Sequence, residues 1–449
     1  MYQKRLIVCL CFFAGVVFCG LAQEVWTLEQ CIRYAYDNNI QLKQQQLDVL
    51  RTENDLLQSK LNILPNLNAS SGYQMGKGKV LDMETLTIVT GSTVKSFNAS
   101  INSGVTFFRG FVKKNSIDYN LYSLLANLEN VEKLKNELSI KIALFYLQII
   151  NAQEQLAVAE NQLTLTLLQV NRTASLVDAG SVPEGDLFEI QSQAAREELR
   201  IVTSRNMLEI SQLNLAQLLD LDARINFQVV VPDFSNIVIT DLLTSVDDIF
   251  ATAENTLPQV KAAELYLKSV EKQLSVAKGY RSPSLSISGG YSTRYSNTAK
   301  HPANPSEAYL FMDQLKDGVN SYINVGMNIP IFNGWQVNTN VKNAKLNVLN
   351  YQYQLQLTKN TLYKEIQQAH ADATASLKKY IAASKAVANM EEAFRYTEQR
   401  YEVGLMNFVD YSTAKTRLTE AQSELLQSKF EYIFNIKVLD FYNGREITL

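Results

Sequence analysis

Asp186 and Asp410 are the acidic residues whose placement invites a functional reading. Each stands six residues beyond a glycine, Gly180 and Gly404, and the two pairs repeat at an offset of 224. An aspartate in the first turn of a helix complements the positive end of its dipole. Asn407, just ahead of Asp410, is of the type that caps such a turn. Little else is spaced for chemistry. His301 falls in a polar loop and His370 in a helical stretch, neither with a cysteine or acidic cluster at metal-ligand spacing. Gly289-Gly290 lacks the Gly-Lys-Ser/Thr ending of a phosphate loop. No nucleophile is spaced against a base. The expectation is a protein that is not an enzyme, with no cofactor and no metal.

The elements that must position the aspartates are long. No Gly or Pro occurs from Phe111 to Ala179, nor from Trp335 to Val403. Each stretch is helix-compatible for about 100 Å at roughly 1.5 Å per residue. Leu121, Leu125, Leu128, Val131, Leu138, Ile142, Ile149, Leu156, Leu163 and Leu167 fall at steps of three, four and seven along the first, a coiled-coil seam. Gly180 and Gly404 end the two helices as residues able to turn left-handed. Ser181 with Glu184 reads as a capping box opening a return helix to about Asp220.

Strands precede the long helices. In Ser96 to Phe108 the odd positions are mostly apolar (Phe97, Ala99, Ile101, Val105, Phe107) and the even ones small and polar. Pro65 to Met75 alternates likewise, after a helix over Thr27 to Leu64, and Gly76 to Lys95 reads as a polar loop. Pro283 to Tyr291 matches Pro65 to Tyr73 at an offset of 218, and Phe332-Asn333-Gly334 matches Phe108-Arg109-Gly110 at 224. The difference is taken up by a longer loop, about Arg294 to Asn320. The fourth strand carries Ile323, Val325, Met327, Ile329 and Ile331 on one face. The chain therefore reads as an internal duplication, with repeats at about 27–222 and 245–443 joined by a connector from Pro232 to Thr244.

With 46% hydrophobic and 19% charged residues the chain is ordered, and a net charge of −3 offers no basic footprint for nucleic acid. Lys4 and Arg5 before the apolar run Leu6 to Phe18, with Gly20-Leu21-Ala22 behind it, form a signal peptide over 1–22. Cys19 at a mature N-terminus would give a lipid-anchored alternative, which Phe18 disfavours. Cys31 is then the single cysteine left.

No apolar run of membrane-spanning length follows, but strands of about ten residues suit a tilted membrane strand. Phe107, Phe108, Phe111, Phe332 and Trp335 gather at one end of the strands, as aromatic residues do at a membrane interface. Lys113 and Lys114 beyond them read as a solvated basic step. Four strands cannot close a barrel, and an open edge in lipid leaves backbone groups unpaired, so several chains must share one. Small inward side chains leave that barrel a lumen. The competing reading is a soluble exported coiled coil with two incidental hairpins.

Leu64-Pro65-Asn66-Leu67 with Tyr73, the exit Pro330-Ile331-Phe332-Asn333-Gly334, and Tyr401-x-x-Gly404 followed by Asp410 resemble the TolC-type outer-membrane efflux proteins. The resemblance covers nearly the whole mature chain. It implies a mixed α and β membrane fold: a homotrimer in the outer membrane of a Gram-negative bacterium, its twelve strands forming one transmembrane antiparallel β-barrel. Long antiparallel coiled-coil helices continue that barrel into the periplasm. It also implies a periplasmic adaptor and an inner-membrane pump, docking at the helical turns of Gly180, Gly404 and Leu405, with outer-membrane lipid around the strands. Carried over by position, Tyr401 and Asp410 belong to the channel gate, with Asp186 the first-half counterpart. Met406 stands where the family has an arginine and Thr413 where it has a second aspartate, so part of the usual latch is missing. Asp410 can line the lumen as a ring favouring cations, or serve only the start of its helix. The expected function is a passive exit duct for small molecules; the alternatives are an exit for protein secretion and a stand-alone porin.

Overall fold

The structure is a computed structural model describing residues 25–82, 86–221, 228–232, 245–304 and 306–448. The segment read as a signal peptide and most of the expected connector lie outside the described residues. The chain divides into two compact units.

One unit draws on Leu47–Glu129 and Lys261–Leu357. Its centre is a four-stranded antiparallel sheet of β2 (Asn66–Asp82), β3 (Thr87–Arg109), β5 (Ser284–Ser296) and β6 (Asn320–Asn328), in the order β2-β3-β5-β6. Register keeps like with like. Asn66 pairs with Gly104, Gly104 with Ser288 and Ser288 with Asn324; one step along, Leu67 pairs with Ser103, Ser103 with Gly289 and Gly289 with Ile323. Partners across a ladder share a face, so one face is polar over all four strands, and small except where Arg294 and Tyr322 stand, and the other is mostly apolar. The polar face binds itself: Ser70 and Ser100 hydroxyls are 2.8 Å apart, and Tyr322 Oη donates to Asn102 Oδ1 at 3.1 Å. The apolar face is open, with Ile323 85% exposed. The outer ladder edges of β2 and β6 have no strand partner among the described residues.

Several expectations are corrected here. Gly76 to Lys95 is not a loop, because β2 and β3 run through it as a hairpin of 17 and 23 residues rather than about ten. Thr87-Ile88-Val89-Thr90 is strand-forming, and Gly78 and Gly91 take the left-handed φ values of +117° and +79°. β6 ends at Asn328, short of Ile331, where Pro330 has no N–H to donate. The stretch from Arg294 to Asn320 holds the end of β5 and a short helix, α7 (Phe311–Asp317). Gln314 of α7 stands in for a strand there: its amide accepts from Ser296 N at 2.9 Å and donates to Ser296 O at 3.0 Å.

The other unit draws on Met1–Gln46, Asn130–Val260 and Thr358–Leu449 and is mostly helical. The helix expected over Thr27 to Leu64 is two, α1 (Leu28–Asn38) and α2 (Ile40–Leu61). Asn39 breaks it, its Oδ1 accepting from Leu42 N at 3.1 Å while its Nδ2 donates to Leu218 O at 3.0 Å. A parallel pair of β1 (Val25–Trp26) and β4 (Gln228–Val229) has no counterpart in the sequence reading. Tyr146 anchors it, donating to Trp26 O at 3.1 Å or to Val230 O at 2.6 Å.

The long helices are α3 (Val112–Asp178) and α8 (Gln336–Glu402), 67 residues each, within one residue of the expected ends. Their returns are α4 (Glu184–Leu218) and α9 (Phe408–Tyr442), and α5 (Val246–Thr256) with α6 (Pro258–Gly279) leads into β5. The seam on α3 is covered only in part. Leu138, Ile142 and Ile149 are buried, whereas Leu121, Leu125, Leu128 and Leu167 remain exposed. Among the described residues no helix is long and apolar enough to cross a membrane.

Candidate functional site

The two helical turns are built alike. Gly180 has φ +67° and Gly404 φ +76°. Ser181 N donates to Leu176 O at 2.8 Å and Gly180 N to Val177 O at 2.8 Å, as Leu405 N does to Arg400 O at 2.9 Å and Gly404 N to Tyr401 O at 3.1 Å. These are the paired bonds of a Schellman turn, which satisfy carbonyls that a helix end leaves without partners. Each glycine is required by its backbone angle rather than by space, since a Cβ there would meet nothing within 4 Å.

Beyond the turns the hairpins differ. Asn407 caps α9, accepting from Asp410 N at 2.8 Å. The capping box of Ser181 and Glu184 does not form; Pro183 precedes α4 and no side chain caps it. Ser181 lies two residues ahead of that cap position, inside the turn, where its N–H donates to Leu176 O. Asp186 and Asp410 nonetheless occupy the same third position of α4 and α9, in the positive end of each dipole. Asp410 is exposed and Asp186 half-buried, and among the described residues neither forms an ion pair. The structure does not join the two. Leu405 is 70% exposed, the most prominent apolar side chain of its turn.

Tyr401 is not free. Its ring stacks on Tyr411 at 4.5 Å and 20°, inside a cluster of Ile190, Phe408 and Tyr411 with Val170, Leu187 and Phe394. Burial, with Glu398, Glu402 and Glu197 nearby, pushes the Tyr411 hydroxyl up to about 12. Behind the cluster is a polar layer that sequence reasoning missed. Lys415 is buried and donates to Thr166 Oγ1 at 2.8 Å. Glu197 is buried too; one oxygen accepts from Gln193 and the other has no hydrogen-bond partner. Burial draws the Lys415 ammonium below its ordinary range, against the pull of Glu197 and Glu398. A charged side chain on an interior face carries no periodic mark, so only packing reveals it.

The aromatic residues expected at the strand ends are all solvent-facing: Phe107, Phe108, Phe111, Phe332 and Trp335. A bulge between Thr106 and Phe108 sets Phe107 outside the alternation and returns Phe108 to the apolar face opposite Leu285. Phe108 and Phe111 meet edge to face at 5.6 Å. Among the described residues no cluster of His, Cys, Asp or Glu could hold a metal. The arrangement supplies surfaces and turns rather than reactive groups.

Comparison with known proteins gives these surfaces a context. The family model for outer membrane efflux proteins matches residues 31–220 and 251–433. The chain is 24% identical to the outer membrane protein TolC of Salmonella enteritidis over 297 residues, 65% of this chain and 57% of that protein, so this match spans less than two thirds of the relative. It is 20% identical to TolC of Vibrio cholerae over 437 residues, 94% of this chain and 92% of the relative. Among solved structures, the CmeC outer membrane channel of Campylobacter jejuni superposes with a TM-score of 0.77 at 17% identity, covering 94% of this chain and 87% of that one. With both halves matched, the chain belongs to the outer membrane efflux protein family.

Proposed function

We propose that three copies of this chain close one barrel through the free edges of β2 and β6 and form the exit duct of a tripartite efflux system. The carrying observation is the four-stranded sheet with one continuous polar face of mostly small side chains, one open apolar face and two edges without a strand partner among the described residues. Backbone edges in hydrocarbon must find partners, and neighbouring copies supply them. The exposed Leu121, Leu125, Leu128 and Leu167 support the same reading, since each needs a covering helix from another copy. The mature chain begins after residue 22, and its two repeats contribute equivalent halves of the duct.

In this reading the turns at Gly180 and Gly404, with Leu405, meet a periplasmic adaptor that couples the duct to an inner-membrane pump. Asp186, Asp410 and Tyr401 lie at the closing end of the duct. With Tyr401 packed on Tyr411 and Met406 in place of an arginine, closure rests on the aromatic cluster more than on ion pairs. The cargo is small molecules, in keeping with relatives named for efflux; protein secretion is the competing use of the same duct.

The test is a photo-reactive residue at Leu405, activated in living cells, with adducts identified by mass spectrometry. An adaptor of a proton-driven pump supports small-molecule efflux. An adaptor of an ATP-driven exporter moves the reading to secretion. An intact trimer without any adaptor returns it to a porin.

A further inference from the structure

The distribution of acids marks a surface that the duct itself does not require. Asp and Glu are 45 of 449 residues, yet none falls within 56–81, 86–117, 272–306 or 318–357. These ranges hold nearly all of the sheet, the turns that join it to the helices and the adjoining helix ends, including the start of α8. At those turns stand six cations: Lys60, Arg109, Lys113, Lys114, Lys278 and Arg281. Among the described residues none of them is in an ion pair. The first carboxylates along the adjoining helices are Asp55, Asp118 and Glu271, and Asp118 is already held by Lys272 at 2.9 Å.

The fold brings these cations together. The turn from β3 into α3 and the turn from α6 into β5 touch through glycines: a Cβ on Gly110 would lie 2.5 Å from Gly279 O, and one on Gly279 2.6 Å from Val112 Cγ2. That contact sets Arg109, Lys113 and Lys114 beside the turn carrying Lys278 and Arg281. The Arg109 guanidinium lies 5.6 Å from the Tyr280 ring centroid, and Arg281 Nη2 donates to Asn338 Oδ1 at 2.8 Å, so both are positioned rather than trailing in solvent. Immediately on the strand side are the exposed Phe107 and Phe108, and the exposed Phe111 stands in the turn between Arg109 and Lys113. Aromatic rings followed by cations without counter-charge match the order of acyl ester and phosphate at the surface of a leaflet. Positive charges concentrated without acids repel one another unless an anion covers them.

We infer that this collar binds the phosphate groups of anionic glycerophospholipids in the periplasmic leaflet, with Arg109 and Arg281 as fork donors and the lysines as point charges. The binding fixes how deep the strands sit. It rests on the reading above, in which the sheet lies in the outer membrane and its helix-side turns face the periplasm.

The chain has two tryptophans, Trp26 and Trp335, so Trp26→Phe leaves Trp335, in the second strand-to-helix turn, as the only reporter. The full mature protein is reconstituted in mixed phosphatidylglycerol and phosphatidylcholine vesicles in which one lipid or the other carries bromine near the headgroup. At low salt, brominated phosphatidylglycerol should quench Trp335 as if enriched about fivefold over phosphatidylcholine. That preference should vanish in 0.5 M salt, which screens the charges without altering the fold, and in Lys113→Gln/Lys114→Gln/Arg281→Gln. Equal quenching by the two lipids at low salt overturns the collar while leaving the strands in the membrane. No quenching by either overturns the membrane placement of the sheet, and the collar with it.

Discussion

Phe111 and Trp335 hold the same left-handed backbone conformation in the two halves of the chain, with φ +60° and +68°, each directly after a left-handed glycine, Gly110 or Gly334. For a bulky L-residue this conformation costs about 1–2 kcal/mol. Both side chains are nonetheless exposed, at 65% and 57%. Strain that repeats at the entrances of α3 and α8 turns an aromatic ring outward just where the strand ends.

The strain inverts the usual ranking of small residues at Trp335. In detergent, Trp335→Gly should be more stable than Trp335→Ala by about 1 kcal/mol, because alanine keeps the left-handed penalty and glycine does not. Thermal unfolding of the two variants checks this. The ordinary order, alanine above glycine, would mean that the turn is relaxed in solution.

Lys415 and Glu197 form a buried charge layer without a direct ion pair. Lys415→Met should destabilise the helical unit by about 2 kcal/mol or more, since the buried Glu197 then loses the buried Lys415 ammonium. Adding Glu197→Leu should recover part of that loss instead of adding to it. A double-mutant cycle in denaturant measures the coupling, and strict additivity would show that the two charges do not sense each other.

Tyr411 gives the stacked cluster a signed pH dependence. Its hydroxyl titrates at about 12 in the fold against an ordinary 10.0, so the folded state holds the proton more tightly. The stabilisation is complete below pH 10 and is lost as pH rises from 10 to about 12. Lys415, shifted down, acts with the opposite sign, its cost easing as pH climbs toward 10.5. Melting temperatures of the parent and Tyr411→Phe should therefore differ by a constant amount below pH 10, and the parent should fall relative to the variant as pH rises from 10 to about 12.

Asp410 tests the lumen directly. If its exposed carboxylate lines the duct, Asp410→Asn lowers the cation-over-anion permeability ratio in single-channel recordings. The helix start is kept, because Asn407 still accepts from the backbone N–H of residue 410. Unchanged selectivity would leave the aspartate only its role in the helix dipole.

What the chain alone determined was whatever has a period or a stop. Helix ends at Val112, Asp178, Gln336 and Glu402 follow from where Gly110, Gly180, Gly334 and Gly404 fall, since glycine punctuates a helix whatever surrounds it. The two faces of the sheet follow from alternation, which the observed register preserves across four strands. Tertiary structure decided what depends on a distant partner. Asn39 breaks a helix because Leu218, far along the chain, takes its amide. Ser181 fails to cap because it belongs to the turn and the helix begins only after Pro183, and Gly76 to Lys95 becomes strand because two such stretches find each other as a hairpin. The commitment of Tyr401 to Tyr411, and the burial of Lys415 and Glu197, arise from packing between helices that a one-dimensional pattern does not encode. Local rules fix where elements start and turn; long-range contacts fix which side chains are left to act.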